Sequence, residues 1–413
     1  YLLATLAAIL LSNGLASRAY GVVTATCGID ALQNTQDVLC GNGTCTATLV
    51  RVTTAIEVPS GGCQFDLGGR ALSFEKTFQM TGLGFIKVIN AGNITLTSTG
   101  KLKARGDFVQ PNGFIIGGGQ ISLTSSGTID IDGLIDVAGD SAGTVRLVAA
   151  QDIILRPGAT IEGPGITSFV DEGSRFTDGG ELDATAQAGS ITINGDITLS
   201  GRSGGTGGTV DFTAGRNLTM TKTVDIRGGG GDGGSFTATA GDHITLTNGT
   251  INADSNLGGG FGGFVSLDAG ADYLGGVVAG GTIDINAASF LLSGSATDTS
   301  GGDGGELDLL ALGRIRLFGT GMVIRADAAT LFDGSGGIVS IDSGDNNPNV
   351  LRSLDGDLEI GGLIAMHSGA TGGDGGSIDL SAGRDLVFTA TLDNSGTDTG
   401  GDVAGTAGRA ITL

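Results

Sequence analysis

Carboxylates set between glycine pairs are the residues of this chain with the clearest capacity for chemistry. Ser300–Leu309 reads SGGDGGELDL, Thr371–Leu380 reads TGGDGGSIDL, and a looser copy, GDGGSFTATAG, starts at Gly231. Oxygen-rich loops of this kind can coordinate calcium, and glycine-rich loops can cradle phosphate. Calcium repeats of secreted toxins follow G-G-x-G-x-D-x-apolar-x. Here Glu306 and Ser377 stand at the acidic position, while Asp308 and Asp379 stand at the apolar one. A phosphate loop needs a lysine and a following helix whose amides face the anion, and neither copy supplies them. The motif therefore reads as the corner of a repeating coil, with calcium the one ion its oxygens invite. No cofactor is otherwise expected.

A second group of candidates lies on outward positions of alternating runs. Asp183, Asp211, Thr237, Ser266, Asp308, Ser340 and Asp379 follow one another in successive copies of the repeat. The aspartates Asp183, Asp211, Asp308 and Asp379 could form a ladder for carbohydrate or a divalent ion, set against the plainer reading of a solvated β face. Hydroxyl pairs such as Thr95/Thr97, Ser122/Thr124, Thr219/Thr221 and Thr245/Thr247 suggest a threonine ladder on the second strand. An ice-binding plane would need flatness that irregular coil lengths deny it.

Catalysis on polysaccharide needs paired carboxylates or a basic proton abstractor. The chain has two histidines, His243 and His367, no Trp and three Tyr, and its basic residues are scattered singly. No catalytic activity is expected in this region. The alternative, a polysaccharide lyase or glycoside hydrolase, would need carboxylates and Arg brought together by the long coils between Gly262 and Gly304 or between Gly336 and Gly375.

The elements that position these residues are legible as a repeat. Copies starting at a glycine pair read GGELDA (Gly179), GGTVDF (Gly207), GGSFTA (Gly233), GGFVSL (Gly262), GGELDL (Gly304), GGIVSI (Gly336) and GGSIDL (Gly375), with starts 28, 26, 29, 42, 32 and 39 residues apart. Within GGTVDFTAGRNLTMTKTVDIRGGGGD, three period-2 runs occur: Val210/Phe212, Leu218/Met220 and Val224/Ile226. Such alternation predicts strands with one buried face, and Gly, Asn and Asp between them suit tight corners. A single coil cannot bury its apolar face alone, so coils must stack. The expected fold is all-β: a right-handed parallel β-helix over residues 65–413, with three strands in each of about 12 coils.

Composition agrees with that expectation. Eighty glycines and five prolines in 413 residues exclude collagen, and 39% hydrophobic content is too high for simple disorder. A net charge of −22 repels phosphate backbones and anionic headgroups, which argues against nucleic acid or a membrane surface as partners. Residues 1–19 hold an apolar core from Leu2 to Leu11 and small residues at Ala16–Ala19, the pattern of a secretory signal truncated upstream. No membrane insertion is expected beyond it.

Cys27, Cys40, Cys45 and Cys63 fall in one 37-residue window, at intervals of 13, 5 and 18 residues with no Cys-x-x-Cys pair. Clustered cysteines behind an export signal imply disulfides in an oxidising compartment, in any of three connectivities. Residues 20–64 therefore read as a disulfide-bearing cap, with a short helix in the ALQNTQDVL run.

The GG-x-apolar-x-apolar rungs, the Ala-Gly breaks and the ITLT-type second strands resemble those of large secreted bacterial β-helical surface proteins, the filamentous haemagglutinin-like exoproteins and autotransporter passengers. VQPNGFIIGGGQISL at Val109–Leu123 is similar to the Asn-Pro-Asn-Gly motif of two-partner secretion domains, with Gln110 in place of its first Asn. The resemblance implies export across an outer membrane and display at the cell surface. The function expected is a structural or adhesive module, secreted or surface-bound, whose partners are extracellular polysaccharide or a host or neighbouring cell surface.

Overall fold

The computed structural model describes residues 23–24, 49–53, 55–58, 62–80, 84–106, 117–165, 177–256, 258–270, 280–296, 301–329, 333–344, 356–370 and 372–413. The signal-like segment 1–19, Cys27, Cys40, Cys45, the ALQNTQDVL run and the VQPNGFII segment lie outside the described residues.

Each coil contributes three short strands, and each strand pairs in parallel with its equivalents one coil before and one coil after. The Gly207 copy supplies Thr209–Ala214, Leu218–Met220 and Thr223–Asp225, one to each of three sheets. Among the described residues the first sheet has 12 strands, and the second and third have 13 each. This is a parallel β-helix, and at about 4.8 Å per stacked strand it is ~60 Å long.

Period-2 alternation sets the register. In the first sheet Leu182, Val210, Phe236, Val265, Leu307, Val339 and Ile378 pair in one inward column. Each is 0–1% exposed. A one-residue slip would turn a whole column to solvent, so register is strongly specified. Inside, Phe212 and Phe236 meet edge to face at 5.6 Å, and Phe65 meets Phe78 at 5.1 Å.

The stack reaches upstream of residue 65. Leu49–Val52 pairs with Ala71–Phe74, Ile56–Val58 with Thr77–Met80, and Cys63–Asp66 with Phe85–Ala91. Val50, Val52 and Ile56 turn inward as in any later coil, which is why this part of the 20–64 segment carries solenoid strands.

The glycine pairs sit where the third strand of one coil passes to the first strand of the next. A Cβ on Gly207 would overlap the Ile226 carbonyl oxygen and the Gly234 nitrogen. Close approach therefore demands glycine here, while positive φ is used at other corners, as at Gly270 (89°) and Gly344 (94°). One hydrogen bond closes the corner in three successive coils: Gly234 N donates to Ile226 O at 2.8 Å, Gly263 N to Ala253 O at 2.8 Å, and Gly305 N to Leu292 O at 2.6 Å. Chain of different length can leave and return across the same bond, so the coils differ in length while the strands keep their register.

Candidate functional site

The aspartate that precedes a glycine pair is held by its own fold. Oδ1 of Asp178 accepts the backbone N–H of Thr206 at 2.9 Å, Asp232 accepts that of Phe261 at 2.9 Å, and Asp303 accepts that of Ser335 at 2.8 Å. Asp374 bonds the Thr399 hydroxyl in the same way. Each donor lies one coil on, at the equivalent position. The position thus alternates Asp178, Thr206, Asp232, Phe261, Asp303, Ser335, Asp374, Thr399 along the stack. Every carboxylate meets a neutral neighbour instead of another carboxylate, which like-charge stacking would penalise. The GGDGG motif is a staple between coils.

The outward aspartates do form one column of the first sheet. Asp183, Asp211, Thr237, Ser266, Asp308, Ser340 and Asp379 are paired in register. Asp183 and Asp211 are immediate neighbours, Arg146 lies 3.3 Å from Asp183, and Asp308 and Asp379 are separated by Ser340. Burial first, then repulsion from Asp183 and Glu181, pushes the Asp211 carboxyl above its ordinary range. Burial raises Asp308 and Asp268 as well, and burial followed by Asp308 raises Glu306. From Glu181–Ala186 to Asp402–Ala407, the strands of this sheet contain no Lys or Arg.

Beside this face runs an open groove of about 400 Å³ along the solenoid axis. Its floor is glycine, Gly207, Gly234, Gly263 and Gly305 among them, and its rim is Thr209, Ser235, Phe264, Glu306 and Ile338. The three larger rim residues are consecutive in register, so an aromatic ring, a carboxyl and a branched aliphatic stand on three adjacent coils.

The threonine ladder is shorter than expected. Thr192, Thr219 and Thr245 stack on the second sheet, but the next outward residues are Asp284, Arg316 and Glu359. Ser122 and Thr124 belong instead to Gln120–Ser125 of the first sheet. On the second sheet, charges pair between coils. Arg156 forks onto Asp130 at 2.7 and 2.6 Å, Arg316 reaches Glu359 at 2.9 Å, Arg314 reaches Asp284 at 3.2 Å, and Arg384 grips Asp357.

His243 begins the second-sheet strand His243–Thr247 and bonds the Thr282 hydroxyl at 3.0 Å. His367, after the third strand Leu363–Ala365, lies between Asp327 and Asp393, an arrangement that sequence spacing does not announce because 40 and 26 residues separate the partners. The alternation of the corner aspartates, by contrast, is a signal already present in the residues before each glycine pair.

Among the described residues there is no group of three or more His, Cys, Asp or Glu side chains that could hold a metal ion, and no helix long and apolar enough to cross a membrane. Cys63 is fully buried at the start of Cys63–Asp66, and no described cysteine is free. No family model matches the chain, and neither a curated protein nor a solved structure matches it.

Proposed function

We propose that the chain is a secreted or cell-surface structural module, adhesive and without catalytic activity, of the type found in filamentous haemagglutinin-like exoproteins and autotransporter passengers. The observation that supports this most is the first-sheet face: carboxylates and hydroxyls in axial columns, without an intervening cation, beside a groove that carries Phe264. Hydroxyls and carboxylates hydrogen-bond sugar hydroxyls, and an aromatic ring offers a sugar its face. The partner in this reading is an extracellular polysaccharide or the surface of a host or neighbouring cell, and binding needs no cofactor. Calcium held between the face and an acidic polymer is the variant in which an ion takes part.

Purified protein is to be passed over immobilised neutral and acidic polysaccharides with and without calcium. Retention without cleavage, weakened by Phe264→Ala, is the expected result. Loss of retention on every polysaccharide would remove the adhesive reading. The export expected for residues 1–19 has its own check: denatured, unreduced protein should present no titratable thiol from Cys27, Cys40, Cys45 or Cys63. Four reactive thiols would point to a reducing compartment or a metal site and would undercut the export reading.

A second reading, a polysaccharide lyase or glycoside hydrolase, is favoured by one feature. Asp211, raised toward its protonated form, neighbours the Arg-paired Asp183, and two carboxyls in unlike environments are a common basis for acid and base roles. Shortening of the polysaccharide that Asp211→Asn abolishes would establish it in place of the adhesin.

A further inference from the structure

His367 is 2.8 Å through Nδ1 from Oδ1 of Asp327, one coil earlier, and 2.8 Å through Nε2 from Oδ2 of Asp393, one coil later. Its backbone N–H donates to the same Asp327 oxygen at 2.9 Å. A carboxylate only accepts, so both contacts are hydrogen bonds only when both ring nitrogens carry hydrogen. The imidazolium meets that condition. A neutral ring, in either tautomer, turns a lone pair onto one of the two carboxylates.

We propose that Asp327, His367 and Asp393 form a proton-operated clasp, which ties three successive coils together while the imidazole is charged and opens at Asp393 when it is neutral. Opening falls there because Asp327 keeps a backbone amide and a charged partner, the His367 N–H and Arg325 Nε at 3.6 Å from its second oxygen, whereas Asp393 keeps only the neutral Ser395 side chain among its named partners. Asp393 is also the more exposed carboxylate, 54% against 20%, so water can replace the ring. These are the charged groups that face His367: Asp327 backed by Arg325 from the coil before, and Asp393 from the coil after.

The hydrogen bond to Asp393, then attraction to Asp327, raises the His367 pKa above its ordinary 6.5 against the opposing effect of burial. A raised histidine stabilises fully below its unfolded value and ceases to do so as pH climbs through its folded one. The bond to His367 in turn holds the Asp393 carboxyl below its ordinary range. The clasp is closed in mild acid and opens toward alkaline pH.

The test uses the whole chain, whose two histidines allow assignment of the His367 ring resonances by His367→Gln. The titration midpoint of His367 should lie above 6.5 and fall toward it in Asp393→Asn. The amides of Met366 and Ser368, which donate to Asp393 O at 2.9 Å and Ser395 O at 3.0 Å, report coupling to the next coil. After correction for intrinsic exchange, their protection should drop about fivefold between about pH 6 and about pH 9, and stay level in His367→Gln. A midpoint at or below 6.5, or one unmoved by Asp393→Asn, overturns the clasp. So does a raised midpoint with level exchange in the unsubstituted chain, which would mean charge pairing that holds no coil.

Discussion

On the second sheet Arg156 forks onto Asp130 and Arg316 reaches Glu359, each across one coil step; on the first sheet Asp183 and Asp211 stand on adjacent coils, and no cation follows Arg146. Both faces rest on the same parallel ladder, so the strand pitch cannot account for the difference. It is a difference of side chains. Where arginine alternates with carboxylate, the charges are satisfied within the molecule and the face has little left to offer a partner. Where carboxylates stack with one another and with hydroxyls, burial first and then repulsion from Asp183 and Glu181 raise Asp211, and hydrogen-bonding capacity stays turned to solvent. The less compensated face is the one beside the groove, and on that contrast the proposed binding role rests.

The largest effect is expected beneath the acidic face. Leu307→Asp puts a charge in an inward column that is 0% exposed and should cost about 3–5 kcal/mol, read as lost amide protection in Phe264–Ala269 and Ile338–Ser343. Unchanged protection there would mean that the coils do not share one core.

Next comes the corner staple. Asp303→Ala leaves the Ser335 amide without its acceptor and should cost about 1–2 kcal/mol, whereas Asp303→Asn keeps an acceptor oxygen and should cost less, both measured by denaturant unfolding. If neither variant loses stability and the unsubstituted chain does not respond to chelator, the corner carboxylate at Asp303 serves neither coil coupling nor calcium.

A smaller effect of opposite sign is expected at Asp211. Its folded pKa is raised, so the native state holds its proton more tightly, and stability falls as pH rises from 3.8 through the folded value. Asp211→Asn should raise the melting temperature slightly at neutral pH and not below pH 3.8. A melting temperature lowered at neutral pH would show that the carboxylate is satisfied and that the two faces do not differ. Smallest is Arg156→Ala on the compensated face, which should lower the melting temperature slightly in low salt and leave it unchanged at high salt.

The coil repeat and its inward columns were legible in the sequence because burial of one strand face imposes a period of two, and stacking requires glycine where coils touch. Val210/Phe212 and Leu307/Leu309 occupy the inward positions their alternation predicts. Even the outward column from Asp183 to Asp379 could be lined up, since counting from the glycine pair restores the register that insertions obscure. The second-sheet ladder could not. Its strands begin at variable distances from that landmark, whereas Ser122/Thr124 follow the Gly118–Gly119 pair at the spacing of a first strand and lie on the first sheet, so their likeness to a second-strand hydroxyl pair is one of composition alone.

The sequence alone determined that these residues would stack as a β-helix, since a period-2 pattern repeated at glycine pairs admits few other ways to bury its apolar side. Tertiary structure decided which polar atoms meet. Asp303 with the Ser335 amide, Arg316 with Glu359, and His367 between Asp327 and Asp393 are contacts across 32, 43, 40 and 26 residues of chain. Those separations vary with every insertion, while the distance in space is fixed by one strand spacing. Hydrophobic burial acts through a pattern that any coil displays by itself, whereas a hydrogen bond or ion pair needs two particular atoms within about 3 Å, and only the stacked coils bring them there.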